Sequence, residues 1–67
     1  MNKEEYQTLL RDSYEKILLS KRETAKELGV AEATVDRLRK AGQLSSKKVL
    51  GQIMFSIDEV ARFLSDI

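Results

Sequence analysis

Apolar positions along this chain recur at helical spacing in four places and gather into short extended runs in one. From Lys3 to Lys16, with Ile17 following, Tyr6, Leu9, Leu10, Ser13, Tyr14 and Ile17 fall three and four apart, the stripe of an amphipathic helix. Ser20 and Glu23 then make an S-x-x-E capping box, Thr24, Ala25 and Leu28 form one side of a second helix, and Gly29 supplies a tight turn. In the third helix Ala31, Val35 and Leu38 share a side, while Ala33, Asp36, Arg37 and Lys40 point the opposite way. Gly42 is placed to cap its C-terminal end, and Lys40 sits near the negative pole of that helix. The text then changes to Lys47-Lys48-Val49-Leu50 and Ile53-Met54-Phe55 around Gly51-Gln52, two short strands and a turn. A two-residue Gly-Gln loop suits a type II′ turn, whereas a three-residue loop puts Val49, Ile53 and Phe55 on one face; the register stays open at this level. Ser56 and Glu59 form a second capping box, followed by the buried-stripe spacing of Ile57, Val60, Ala61 and Leu64.

The spacing therefore predicts helices at about 21–28, 32–41 and 57–65 and a hairpin at about 46–55, preceded by an amphipathic N-terminal helix within 1–18. Sixty-seven residues make one domain at most, and no repeat or Gly/Ser-rich linker divides it, so 1–67 reads as a single domain with its second part at 19–67.

Two short helices joined by a tight turn, from Ser20 to Gly42, are the usual instrument for reading duplex DNA. Ala25, Gly29 four later, Val35 six after that and Leu38 three further on match the helix-turn-helix pattern. With Leu18-Leu19-Ser20, Glu23, Leu28-Gly29-Val30, Thr34-Val35, Arg37-Leu38 and Phe63-Leu64, the chain resembles the small excisionase and AlpA-like winged-helix regulators, relatives of the MerR DNA-binding domain, over about residues 18 to 67. The resemblance implies a mainly α fold: a winged helix-turn-helix with a short β-hairpin wing, to which this chain adds an N-terminal helix. The chain departs from the pattern at Glu32 and Asp36, where those families more often carry Ser, Arg or an aromatic residue. Its hairpin lacks their usual arginines, and Arg39 occupies an often aliphatic position, where it is expected to lie across the helix surface against a carboxylate.

A net charge of +1 argues against nucleic acid until it is resolved along the chain. Residues 1 to 19 carry net −1, residues 20 to 51 net +4, and residues 52 to 67 net −2, so the positive charge coincides with the helix-turn-helix and hairpin. There is no cysteine or histidine, which removes disulfides and the usual zinc sets, and no metal or other cofactor is expected. The same absence, and the lack of a justified Ser-Lys or carboxylate pair, argues against an enzyme. The longest apolar runs, Ile17 to Leu19 and Ile53 to Phe55, are too short to cross a bilayer, and a cytoplasmic location without membrane contact is expected.

In a helix-turn-helix the second helix of the motif enters the major groove, which nominates Ala33, Thr34, Asp36, Arg37 and Lys40 as base contacts. Arg37 can pair bidentately with guanine, Asp36 or Glu32 can accept from cytosine N4, and the methyl groups of Ala33 or Thr34 can meet thymine. Lys21 and Arg22, in the first turn of the second helix, suit phosphate, and Lys47, Lys48 and Gln52 on the hairpin can follow the backbone into the minor groove. Each assignment has a plainer counterpart: the lysines as solvated surface, Arg37 paired with Glu32 or Glu27, and Thr34 as a local helix residue.

The partner expected from these features is double-stranded DNA, bound by a small transcription regulator or by an excisionase-like architectural factor acting with a recombinase. The N-terminal stripe of Tyr6, Leu9, Leu10 and Tyr14 either caps the core or forms a homodimer contact. The alternative from another class is a protein-interaction module on a helix-turn-helix scaffold that no longer binds DNA.

Overall fold

The computed structural model describes residues 1–14 and 16–67. In chain order the elements are α1 (Lys3–Tyr14), β1 (Leu18–Ser20), α2 (Lys21–Leu28), α3 (Glu32–Lys40), β2 (Lys47–Val49), β3 (Gln52–Ser56) and α4 (Ile57–Asp66). This is a mainly α winged helix-turn-helix whose hairpin, β2 and β3, is the wing. The expected helix bounds for α2, α3 and α4 agree to within a residue. The strand β1 was not expected; it joins the hairpin in a three-stranded antiparallel sheet of order β1-β3-β2. Leu19 pairs with Phe55, and both are fully buried.

The starts of α2 and α4 are set by the predicted caps. Ser20 Oγ accepts from Glu23 N–H at 3.0 Å and Glu23 Oε1 accepts from Ser20 N–H at 2.9 Å, a complete capping box. Ser56 Oγ likewise accepts from Glu59 N–H at 3.0 Å, but the Glu59 carboxylate does not return to Ser56. It accepts instead from Ser45 N–H at 2.7 Å and pairs with Arg62 at 2.8 Å, so only half of the second box forms. Both serines are also the last residues of strands, so β1 runs directly into α2 and β3 directly into α4. A second reciprocal cap starts α1: Asn2 Oδ1 accepts from Glu5 N–H at 2.9 Å, and Glu5 Oε1 accepts from Asn2 N–H at 3.1 Å. Gly29, with φ +71°, closes α2 in the left-handed region that the turn requires.

The core is Leu10, Leu19, Ala25, Val35, Leu44, Phe55, Ile57, Val60 and Ala61, with Tyr6, Tyr14, Leu28, Leu38, Ile53, Phe63 and Leu64 packed around it. The N-terminal stripe is spent here. Leu10 is 2% exposed and the two tyrosines pack on the core, with α1 lying against α4, so these residues face inward, and within α1 itself Leu9, 52% exposed, is the large outward apolar side chain of the stripe. Gln7 Nε2 donates to Asp58 Oδ1 at 2.5 Å across that contact. The stripe also ends earlier than its periodicity implied: Ile17 is 73% exposed, because the chain has already turned toward β1 and its carbonyl accepts from Ile57 N–H at 3.0 Å. Glu15, within the expected helix, lies outside the described residues. Leu44 has no periodic signal around it, yet it is fully buried where the chain leaves α3 for the wing.

The wing register differs from both expected forms. Val49 pairs with Gln52 and Lys48 with Ile53, so the loop is Leu50-Gly51. Their φ values of +51° and +82° are those of a type I′ turn, which matches the right-handed twist of the strands. Val49 therefore opposes Gln52 instead of sharing a face with Ile53 and Phe55. A leucine in the left-handed region costs about 1–2 kcal/mol, and Leu50 recovers none of it by burial, being 99% exposed.

Two stability tests follow from the packing. Leu44→Ala should lower the unfolding free energy by about 2–5 kcal/mol in denaturant titration, and Leu10→Asp should unfold the chain where Leu9→Asp does not. Thr24 is fully buried and its hydroxyl has no hydrogen-bond partner among the described residues. Thr24→Val removes that unmet group at nearly constant volume and should add about 1 kcal/mol, roughly 4–8 °C in the melting temperature of a domain of this size.

Candidate nucleic-acid interface

Helix α3 has two faces with different fates. Val35 is buried and Leu38 half-buried against α2 and the core, while Ala33, Arg37 and Lys40 are exposed and Thr34 is half-buried. Arg37 Nη2 donates to Thr34 Oγ1 at 3.0 Å and makes no ion pair among the described residues; neither Glu32 nor Glu27 takes it. A guanidinium held one turn from a hydroxyl, with its remaining donors in solvent, is available to a planar bidentate acceptor. Ala33, Thr34, Arg37 and Lys40 thus lie within two turns on one outward strip of α3.

Asp36 has a different role. Lys21 Nζ lies 3.0 Å from Asp36 Oδ2 and Arg39 Nη2 lies 3.4 Å from Asp36 Oδ1, so one carboxylate bridges the first residue of α2 and the last turn of α3. The hydrogen bond from Lys21, followed by its charge and the contribution of Arg39, holds the Asp36 carboxyl below its ordinary value. Asp36 and Lys21 are thus paired with each other within the protein. Arg39 lies across the helix surface against a carboxylate, as its position suggested. The pairing of Asp36 with Arg39 at i,i+3 is legible in the sequence, whereas Lys21, fifteen residues away, is brought in only by the crossing of the two helices.

Arg22 is exposed in the first turn of α2, and Lys47, Lys48 and Gln52 are exposed on the wing. Lys47 stands opposite Met54 and Lys48 opposite Ile53, so the two lysines project from opposite faces of the ribbon. The base of the wing is clamped from α4: Arg62 Nη2 donates to the Gln43 carbonyl at 2.9 Å, and Glu59 receives the Ser45 amide. The Arg62 hydrogen bond is the main cause that keeps the Glu59 carboxyl below its ordinary value. From Arg37 to Ile57 the chain contains five Lys/Arg and no Asp or Glu. The acid-free segment runs from the outward strip of α3 through the whole wing.

A helix-turn-helix domain family matches residues 18–66, nearly three-quarters of the chain, from β1 to the last turn of α4. The chain belongs to this helix-turn-helix family. Membership supports a DNA-binding domain, with duplex DNA as the partner of the α2–α3 unit. No curated protein and no solved structure matches the chain. No described helix is long and apolar enough to cross a membrane. The helix α1 precedes the matched segment and reaches it through the packing of Leu10 and the tyrosines.

The carboxylates that brace this domain set its acid response. Asp36, Glu23 and Glu59 all have depressed values, Glu23 chiefly through the hydrogen bond from Lys16 at 2.7 Å. A depressed carboxylate stabilises the folded state above its unfolded value, here 3.8 for Asp and 4.5 for Glu, and that contribution is lost as pH falls through the folded value. The urea midpoint should therefore be flat near neutrality and decline as pH falls through and below about 4.5. Glu59→Gln should shallow that decline. On the alkaline side, burial and the hydrogen bond to Glu27 push Tyr14 from 10.0 up to about 12, so stability should fall as pH rises between these values and Tyr14→Phe should remove that part of the loss.

Proposed function

We propose that this chain binds duplex DNA with sequence preference, as a small transcription regulator or as an excisionase-like architectural factor acting with a site-specific recombinase. In this reading α3 lies in the major groove and the wing follows the backbone toward the minor groove. The observation that carries it is Arg37, exposed and without a carboxylate partner among the described residues, at the centre of the outward strip of a helix-turn-helix reading helix. Arg37 reads guanine, Ala33 and Thr34 present methyl groups to thymine, and Lys40 reaches a base edge or phosphate at the end of the strip. Arg22, Lys47, Lys48 and Gln52 supply phosphate contacts that position the domain without specifying sequence. Asp36 acts as a brace: it fixes the α2–α3 crossing and withholds Lys21 and Arg39 from the phosphates. Specificity is favoured over bulk electrostatic attraction by that arrangement.

Self-association through α1 has little apolar surface to draw on, because Leu10 and the tyrosines pack inward. We therefore read the chain as a monomer off DNA, with any pairing arising from adjacent sites. A protein-interaction role has one observation in its favour, the neutralisation of Lys21 and Arg39 by Asp36, which lowers the positive charge of the α2–α3 face.

The test is selection of duplexes from a randomised pool at about 150 mM salt, where nonspecific attraction is screened. The wild-type chain should enrich one motif, and Arg37→Ala should relax a single position in it at a cost of about 1–3 kcal/mol. Asp36→Asn should tighten binding to all duplexes, steepen its salt dependence and narrow the gap between selected and random DNA. Equal, weak binding of every duplex by the wild-type chain would favour the protein-interaction reading.

A further inference from the structure

We infer that Leu50, at the tip of the wing, is an apolar wedge that enters the minor groove and partly unstacks one base step, bending the DNA. The inference rests on the DNA-binding reading above and adds a residue and an action to it.

Leu50 combines three properties. It is the one non-glycine residue with positive φ among the described residues, at +51°. The first central position of a type I′ turn favours Asn, Asp or Gly, whose side chains tolerate or support that backbone; leucine does neither. Its side chain is also 99% exposed, so nothing within the protein offsets the strain or the unburied apolar surface. Of the neighbouring apolar residues of the sheet, Phe55 is buried and Ile53 half-buried on the core, and Val49 is only 37% exposed where Leu50 is fully presented. A strained, fully presented apolar side chain points to an occupant outside the chain.

The surroundings select which occupant. Leu50 caps a narrow two-stranded ribbon whose other exposed residues include Lys47, Lys48 and Gln52, inside the stretch from Arg37 to Ile57 that has no carboxylate. The wing tip therefore suits a surface that is polyanionic outside and apolar within reach of one side chain. The minor groove, with phosphates on both rims and stacked bases at its floor, has that character, and apolar side chains wedge between base steps there. Pyrimidine–purine steps unstack most readily, so the wedge should select a TA or CA step at a fixed distance from the position read by Arg37.

The experiment uses the enriched duplex with 2-aminopurine at the candidate step, and end-labelled duplexes for bending by energy transfer. The wild-type chain should raise 2-aminopurine emission severalfold and shorten the end-to-end distance. Leu50→Asn, which suits the turn, should melt no lower than wild type and keep the Arg37-dependent position. It should lose most of the emission change, the bend and the preference for the pyrimidine–purine step. Leu50→Met should retain all three. A Leu50→Asn protein that bends and unstacks the DNA like wild type overturns the wedge while leaving base reading intact. So does a wild-type chain that enriches an Arg37-dependent motif but neither bends nor unstacks it. Loss of binding to anionic phospholipid vesicles in Leu50→Asn, with DNA bending unchanged, would assign the tip to a membrane surface and overturn it as well. Failure of the wild-type chain to enrich any duplex removes the DNA-binding reading, and the wedge with it.

Discussion

The pairing of Leu19 with Phe55 is the contact on which the rest of the structure depends. Both side chains are fully buried, and they join β1, which leads into α2, to β3, which carries the wing and leads into α4. A chain of this length buries only part of its surface, so its few core residues must each tie several elements together. Phe55 is the largest of these side chains. It sits in the central strand of the sheet and shares the buried core with Val35 from α3 and Leu44 from the loop that follows. The position of α3, the start of the wing and the seat of α1 on α4 are all referred to that one strand.

Electrostatics then divides the surface. Carboxylates are concentrated on the helices and used as braces: Asp36 across the α2–α3 unit, Glu59 between α4 and the base of the wing, Glu23 at the start of α2. The wing and the strip around Arg37 have no such acids. A net charge near zero thus coexists with a cationic stretch, because every acid lies outside the segment from Arg37 to Ile57. Each exposed pair has modest energetic weight on its own. Their collective effect is to hold two helices and a loop in register, leaving Arg37 and Lys40 without an ion pair among the described residues.

Much of this was legible in the chain. Ser20 and Glu23, Gly29, and the i,i+3 and i,i+4 spacing of α2, α3 and α4 are local signals, determined within a few residues, and they predicted the corresponding elements closely. Long-range features were not legible. The strand β1 is three residues long and alternates too briefly to show a period; it exists because β3 has an edge to pair with. Leu44 is core only because the chain folds back after α3. The turn at Leu50-Gly51 was not legible because leucine is a poor residue for it, and turn chemistry alone left the register open between two other forms. At the candidate site, the outward strip of α3 followed from periodicity. The engagement of Asp36 by Lys21 depended on a crossing that no local pattern records.

The direct passage of β1 into α2 and of β3 into α4 has a mechanical consequence. With no linker residue between strand and helix, the rotation of each helix about its own axis is geared to the pleat of the sheet. One residue inserted after Ser20 would turn α2 by about 100° relative to β1, at 3.6 residues per turn, sweeping Thr24 and Ala25 out of the core. Loops elsewhere in the chain can change length and leave such angles alone. Natural variation in length should therefore collect at the wing tip and before β1, while the two strand–helix junctions behave as rigid couplings that transmit orientation from the sheet to the helices.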